Sequence, residues 1–220
     1  LLCRKLQPDY YDGIARHEAD MSIPGSASPL FLAAAAAAAP SAFQIDRSLR
    51  FNSGDSAYLN RTPSSAGNRK TWTWSGWVKR CAFGSVDNCL FSAYGNGTQS
   101  AGIYFSNDVQ NDSLEVRFGP YSAGWQGFLV TAQVFRDPSA WYHIVFAADT
   151  TQATASDRLK LYINGLQVTT FNSSAYPSLN ADGFLNQAQE HQIGRLQGTT
   201  YYHNGYLADV FFIDGQTPGT

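Results

Sequence analysis

Cleavage of a glycosidic bond needs two carboxylates facing one cleft. The acids to weigh in this 220-residue chain are Glu115 and Glu190. Glu115 stands alone in SLEVRF, and Glu190 has only His191 beside it. Nucleophilic chemistry finds no better start. His17, His143, His191 and His203 are scattered, and there is no G-x-S-x-G turn to present a serine. His143, between Tyr142 and Ile144, reads as a hydrogen-bonded structural histidine inside a strand. Gly95-Asn96-Gly97 is a turn rather than a phosphate loop. Cys3, Cys81 and Cys89 fall in no C-x-x-C or Cys/His ligand pattern. Cys81 and Cys89 either meet across a hairpin or stay as buried thiols. Sequons at Asn60, Asn96, Asn111 and Asn172 signal glycosylation only in a eukaryotic secretory setting.

What remains is chemistry of contact. Sugars stack on exposed aromatic rings, with amides nearby to bond their hydroxyls. Two segments qualify: Tyr121-Ser-Ala-Gly-Trp125-Gln126 and Thr199-Thr-Tyr201-Tyr202-His203-Asn204. The candidate glycan-binding residues are therefore Tyr121, Trp125, Gln126, Tyr201, Tyr202, His203 and Asn204. Both segments lie between expected strands, where loops carry recognition. The competing reading is that these rings plug the ends of the folded body or pack on a neighbouring subunit.

The elements that must hold those loops are strands. Trp141 to Ala148 is aromatic and β-branched. Asp149 to Ser156 is a Thr/Ala/Gln/Ser loop. Asp157 to Ile163 alternates, with Leu159, Leu161 and Ile163 on one face and Arg158, Lys160 and Tyr162 on the other. Asn164-Gly165 suits a type I′ turn, and Leu166 to Phe171 returns as the next strand. Thr71 to Arg80 carries Trp72 and Trp74 on one face and Trp77 on the other. Ser48 to Asn52 and Ala57 to Asn60 flank a Gly54-Asp55 turn. Asn88 to Tyr94, Gly102 to Ser106, Ser113 to Phe118, Gly127 to Arg136, Gln189 to Arg195 and Gly205 to Asp214 complete the pattern. Roughly a dozen strands with regular turn signals predict an all-β, two-sheet antiparallel sandwich.

Composition agrees: 15% charged and 14% aromatic residues, with a net charge of −2. No basic stripe points to nucleic acid, and no apolar run is long enough to span a bilayer. Residues 1–44 separate from residues 45–220. The first twenty are charged, and residues 21 to 44 are nearly uncharged and rich in Ala, Ser and Pro. PLFLAAAAAAA at Pro29 to Ala39 looks like the apolar part of a secretory signal, but no Lys or Arg lies between Met21 and the run. It reads as a short helix or arm, too short to be stable unless it packs on something.

The order TWTWSGWVKR, DPSAWYHIVFAADTT, DRLKLYINGLQV, HQIGRL and GYLADVFFIDG resembles the laminin-G-like, concanavalin A-like jelly-roll superfamily. The string SLRFNSGDSAYLNRTPSSAGNRKTWTWSGWVKR, with VFRDPSAWYHIVFAADTTQATASDRLKLYINGLQV, is similar to structural proteins of marine tailed bacteriophages. The resemblance implies a jelly roll with an N-terminal arm. It implies no enzyme, because the E-x-D-x-x-E string of the hydrolytic relatives is absent. It implies a virion setting: a capsid- or tail-attached fibre or decoration subunit, docked to other virion proteins through the arm. The subunit would form a homo-oligomer, such as a trimer, and could present a surface to host glycans. The alternative is a lectin-like module of a secreted or cell-surface protein, with a polysaccharide hydrolase behind it. The resemblance also makes Asp209 a buried or half-buried acid held by backbone or Arg partners. No cofactor is expected. Rim calcium is known among relatives, and Asp108, Asn111 and Asp112 in SNDVQNDS are the local oxygen donors, but their spacing fits a plain turn better.

Overall fold

The computed structural model describes residues 44–84, 87–96, 99–106, 111–119, 126–196 and 201–218. Their strands are β1 (Leu49–Phe51), β2 (Leu59–Arg61), β3 (Thr71–Arg80), β4 (Asn88–Asn96), β5 (Gln99–Ser106), β6 (Ser113–Arg117) and β7 (Phe128–Val134). There follow β8 (Tyr142–Asp149), β9 (Leu159–Ile163), β10 (Leu166–Gln167), β11 (Phe171–Ala175), β12 (Glu190–Ile193) and β13 (Gly205–Asp214). They form a six-stranded sheet in the order β1-β13-β3-β8-β9-β10 and a seven-stranded sheet in the order β11-β7-β6-β5-β4-β12-β2. All the pairings are antiparallel. The all-β sandwich expected from the apolar alternation is what the chain forms. The arm read over residues 1–44 lies outside the described residues, Gln44 excepted.

Alternation explains the core. On β3, Trp72, Trp74 and Val78 are fully buried, while Trp77, on the other face, is half-buried. Trp72 stacks between Phe118 at 6.3 Å and Phe212 at 5.3 Å and meets Phe146 edge-on. Ile144 and Phe146 of β8, with Leu159 and Leu161 of β9, face Leu90, Ile103, Leu114, Val116 and Leu129 of the other sheet. Burying each such side chain contributes about 1.5–3 kcal/mol. The hairpin between β9 and β10 turns on Asn164 and Gly165, with φ of 51° and 80°, the positive values a type I′ turn requires.

The turn at Gly54-Asp55 forms as a 3-10 turn over Ser53–Asp55, and the strands flanking it enter different sheets: β1 pairs with β13 and β2 with β12. Two expectations are corrected. The return read over Leu166 to Phe171 is divided between β10 in one sheet and β11 in the other. Asp209 is exposed rather than buried, with a φ of 47°. It sits in a bulge: between Ala208, opposite Trp77, and Phe211, opposite Ser75, two residues of β13 face Gly76 alone. The extra residue shifts the pleat and sends the carboxylate to solvent. Cys81 and Cys89 are both free thiols, and burial pushes Cys89 up to about 12. His143 keeps its place in β8, where its ring lies 4.9 Å from Trp77.

Candidate functional site

Residues of the seven-stranded sheet that point away from the core form a polar, tyrosine-rich layer, buried at Cys89, Ser92, Tyr104, Glu115 and Gln192 and open to solvent along its margin, where Tyr58 and Asn60 are exposed. Phe91, Ala93, Ile103, Phe105, Leu114 and Val116 belong to the core, so their alternates point outward. Pairing register aligns those alternates in rows. One runs Asn60, Gln192, Ser92, Gly102 and Arg117. A second runs Cys89, Tyr104, Glu115 and Val130, and a third sets Glu190 opposite Tyr94. Cys89, Tyr104 and Leu196 form an apolar cluster separate from the core, with Tyr94 and Tyr201 packed on it.

Several polar groups here bond one another. Tyr104 Oη donates to Glu115 Oε1 at 3.0 Å, and Arg117 Nε donates to the same oxygen. The Arg117 guanidinium lies 4.6 Å over the Tyr104 ring, and burial pulls its pKa down to about 10, leaving it a cation at neutral pH. Glu190 Oε1 accepts from Gln192 Nε2 at 2.7 Å and Asn60 Nδ2 at 3.1 Å. Those two bonds hold the Glu190 carboxyl below the usual carboxylate range. A general acid needs the opposite shift, so Glu190 is suited to accept hydrogen bonds and unsuited to give up a proton to a leaving group. At the rim of this face the Arg195 guanidinium stacks on Tyr58 at 4.9 Å and on Tyr202 at 5.1 Å. The two rings are 6.4 Å apart, and Tyr58 is exposed.

The predicted sugar-binding residues divide between these surroundings. Tyr201 and Tyr202, both half-buried, belong to the face and its rim. Asn204 is half-buried and committed: its side chain bonds Arg50 and Ser53. His203 is fully buried, with Nδ1 2.6 Å from Asn88 Oδ1, and burial pushes its pKa down to about 3. It is a neutral structural group instead of a loop contact. Gln126 is exposed, and Tyr121 and Trp125 lie outside the described residues. Tyr58, Tyr94, Tyr104, Arg117, Glu190 and Arg195 are additions. For Tyr94, Tyr104 and Arg117 the signal was a polar or tyrosine residue alternating with apolar ones along a strand. Of the calcium donors, Asp108 lies outside the described residues, and Asp112 has both oxygens taken by Arg80 and Arg136. Among the described residues no group of three or more His, Cys, Asp or Glu side chains is placed to hold a metal ion.

Two packed antiparallel sheets with this outer face define a lectin-like β-sandwich. A laminin-G family model, described as the concanavalin A-like lectin/glucanases superfamily, matches residues 52–216, and the chain belongs to that family. Among solved structures, the chain is similar to a proposed carbohydrate-binding protein from Bacteroides ovatus. The TM-score is 0.53 at 16% identity, covering 77% of this chain and 44% of that one. It is similar also to domains LG4-5 of mouse laminin α1, with a TM-score of 0.51 at 12% identity, covering 76% and 42%. The chain thus spans under half the length of either structure. At these identities the likeness is one of fold. A comparison with curated proteins gives no match.

Proposed function

We propose that this chain is a non-catalytic, glycan-binding sandwich displayed by a virion structural protein, in a capsid- or tail-attached fibre or decoration subunit. The carrying observation is the outer face of the seven-stranded sheet. At its open margin the Tyr58, Tyr94 and Tyr202 rings stand near Asn60 and Glu190, whose carboxyl is held ionised. Such a face stacks on sugar rings and bonds their hydroxyls. The virion setting rests on the likeness of residues 48–80 and 134–168 to phage structural proteins. The apolar leader supports attachment to other virion proteins and self-association, with three copies as the working arrangement.

A glycan array probed with the full chain is expected to give a defined set of hits. Tyr202→Ala should weaken them roughly 10-fold, the scale of one aromatic contact. An empty array, or hits untouched by Tyr202→Ala and Tyr58→Ala, removes the glycan assignment. Deleting residues 1–44 is expected to abolish co-sedimentation with particles while the far-ultraviolet spectrum keeps its β signature. Retained attachment overturns the virion assignment.

A further inference from the structure

The reverse side of the same β2–β12 edge holds an apolar groove that the glycan-binding reading leaves unused. Its volume is about 440 Å³, within the ~300–1,000 Å³ of small-molecule sites. Trp74, Phe91, Ile193, Val210 and Phe212 line it, with Leu59 on the edge strand. The groove exists because the sandwich is bulged at this flank. The two residues of β13 facing Gly76 are Asp209 and Val210, and a Cβ on Gly76 would meet Val210 Cγ2 at 3.2 Å and the Trp74 ring at 3.1 Å. Gly76 thus leaves the indole and the valine room to form one continuous apolar wall.

The polar groups on the groove are unevenly committed. His191 is satisfied: its Nε2 accepts from the Asn186 backbone N–H at 3.0 Å and its Nδ1 donates to Gln189 O at 2.8 Å. Burial lowers its pKa, so the ring is neutral. Arg61, also lining the groove, is exposed, and its guanidinium makes no hydrogen bond or ion pair with any described residue. It is the only formal charge on the lining. Trp74 is fully buried and forms the floor beneath the accessible lining. The groove therefore pairs an apolar body with one uncommitted cation.

We infer that this groove binds a small amphiphilic acid, a hydrocarbon or aromatic body carrying one carboxylate. The body lies on Phe212, Val210 and Ile193, with Phe91 beneath them, and the carboxylate pairs with Arg61. A fully apolar ligand would leave the guanidinium unmatched, and a free sugar would desolvate its hydroxyls against hydrocarbon.

The test titrates the full chain with decanoate and with decanol, below their aggregation limits, by calorimetry and tryptophan fluorescence. Decanoate is expected to bind saturably and about 3-fold more tightly than decanol, the margin of an ion pair open to solvent. Arg61→Gln should remove that margin and leave decanol binding unchanged. Leu59→Trp, on an edge residue that is 49% exposed, should abolish both by filling the mouth without disturbing the core. Tyr202→Ala, on the opposite face, should alter neither, which separates this site from the glycan assignment. Absence of saturable decanoate binding overturns the inference. So does equal binding of acid and alcohol, or binding that survives Leu59→Trp.

Discussion

Asp112→Asn is expected to cost about 3–5 kcal/mol of unfolding free energy, the toll of stranding a buried charge. Asp112 Oδ1 accepts from Arg80 Nη2 at 2.9 Å and from the Gly84 N–H at 3.0 Å, while Oδ2 accepts from Arg136 Nε at 2.9 Å. Arg80 and Asp112 expose only 2% and 3% of their side chains, whereas Arg136 exposes 57%. Arg80 is fixed further by Phe135 O at 2.7 Å and by the rings of Phe105 and Phe83 on its guanidinium. Burial alone would push the Asp112 carboxyl up, but the bonds from Arg136, Gly84 and Arg80 carry it below the ordinary range. Asparagine is the informative replacement because Asp112 has a φ of 66°, which asparagine tolerates and alanine resists. The loss then reports the charge rather than the backbone. Urea denaturation measures it, and a change under about 1 kcal/mol contradicts the assignment of the pair as a structural anchor.

Acid should weaken the fold well before its carboxylates titrate. His203 ionises near 6.5 in the unfolded chain, and only near about 3 when folded, because burial and then the nearby Arg80 oppose its charge. Above pH 6.5 neither state holds the extra proton, so stability is complete there. Between pH 6.5 and 3 the unfolded chain takes the proton and the folded one refuses it, so stability falls as pH drops. The slope approaches about 1.4 kcal/mol per pH unit, which gives about 2 kcal/mol between pH 7 and pH 5. Burial also lowers the pKa values of His191 and His143, which add in the same direction. His203→Gln keeps a donor for Asn88 and removes the titration. Denaturation midpoints at pH 7, 6 and 5 should therefore fall less steeply in the variant; parallel slopes would refute the assignment.

Most of the architecture could be read from residue order. Thr71 to Arg80 and Gly205 to Asp214 match β3 and β13 end to end, because dense aromatic alternation leaves little freedom in their bounds. The Asn164-Gly165 turn was equally plain, since few pairs accept two positive φ values. Partner choice was hidden. Leu59 to Arg61 and Leu49 to Phe51 are close in sequence, yet each is claimed by a strand over a hundred residues away, β12 and β13 respectively. The bulge at Asp209 was equally hidden, since alternation counted through it reverses the residue's face. The site was half visible for the same reason. Tyr201 and Tyr202 stand out in a loop, whereas Tyr58, Glu190 and Arg195 acquire meaning only once β2 and β12 are paired. His203 misled because a polar, tyrosine-flanked stretch reads as surface. Its burial depends on Asn88, 115 residues away, which accepts from both the imidazole and the Asn204 N–H through one oxygen.

The position of β13 bears on how the molecule is made. The last of the described strands is also an interior one, wedged between β1 and β3. Until Gly205–Asp214 leaves the ribosome, β1 has no neighbour to zip onto and one flank of β3 stands bare. Closing a gap of more than 150 residues, Leu49 to Leu207, is slow compared with forming local hairpins. The nascent chain therefore waits with two tryptophans, Trp72 and Trp74, uncovered beside an open edge, where a second nascent copy can compete for the vacant place. Chains broken before residue 205 are expected to go to chaperones and aggregates, and none to functional half-domains.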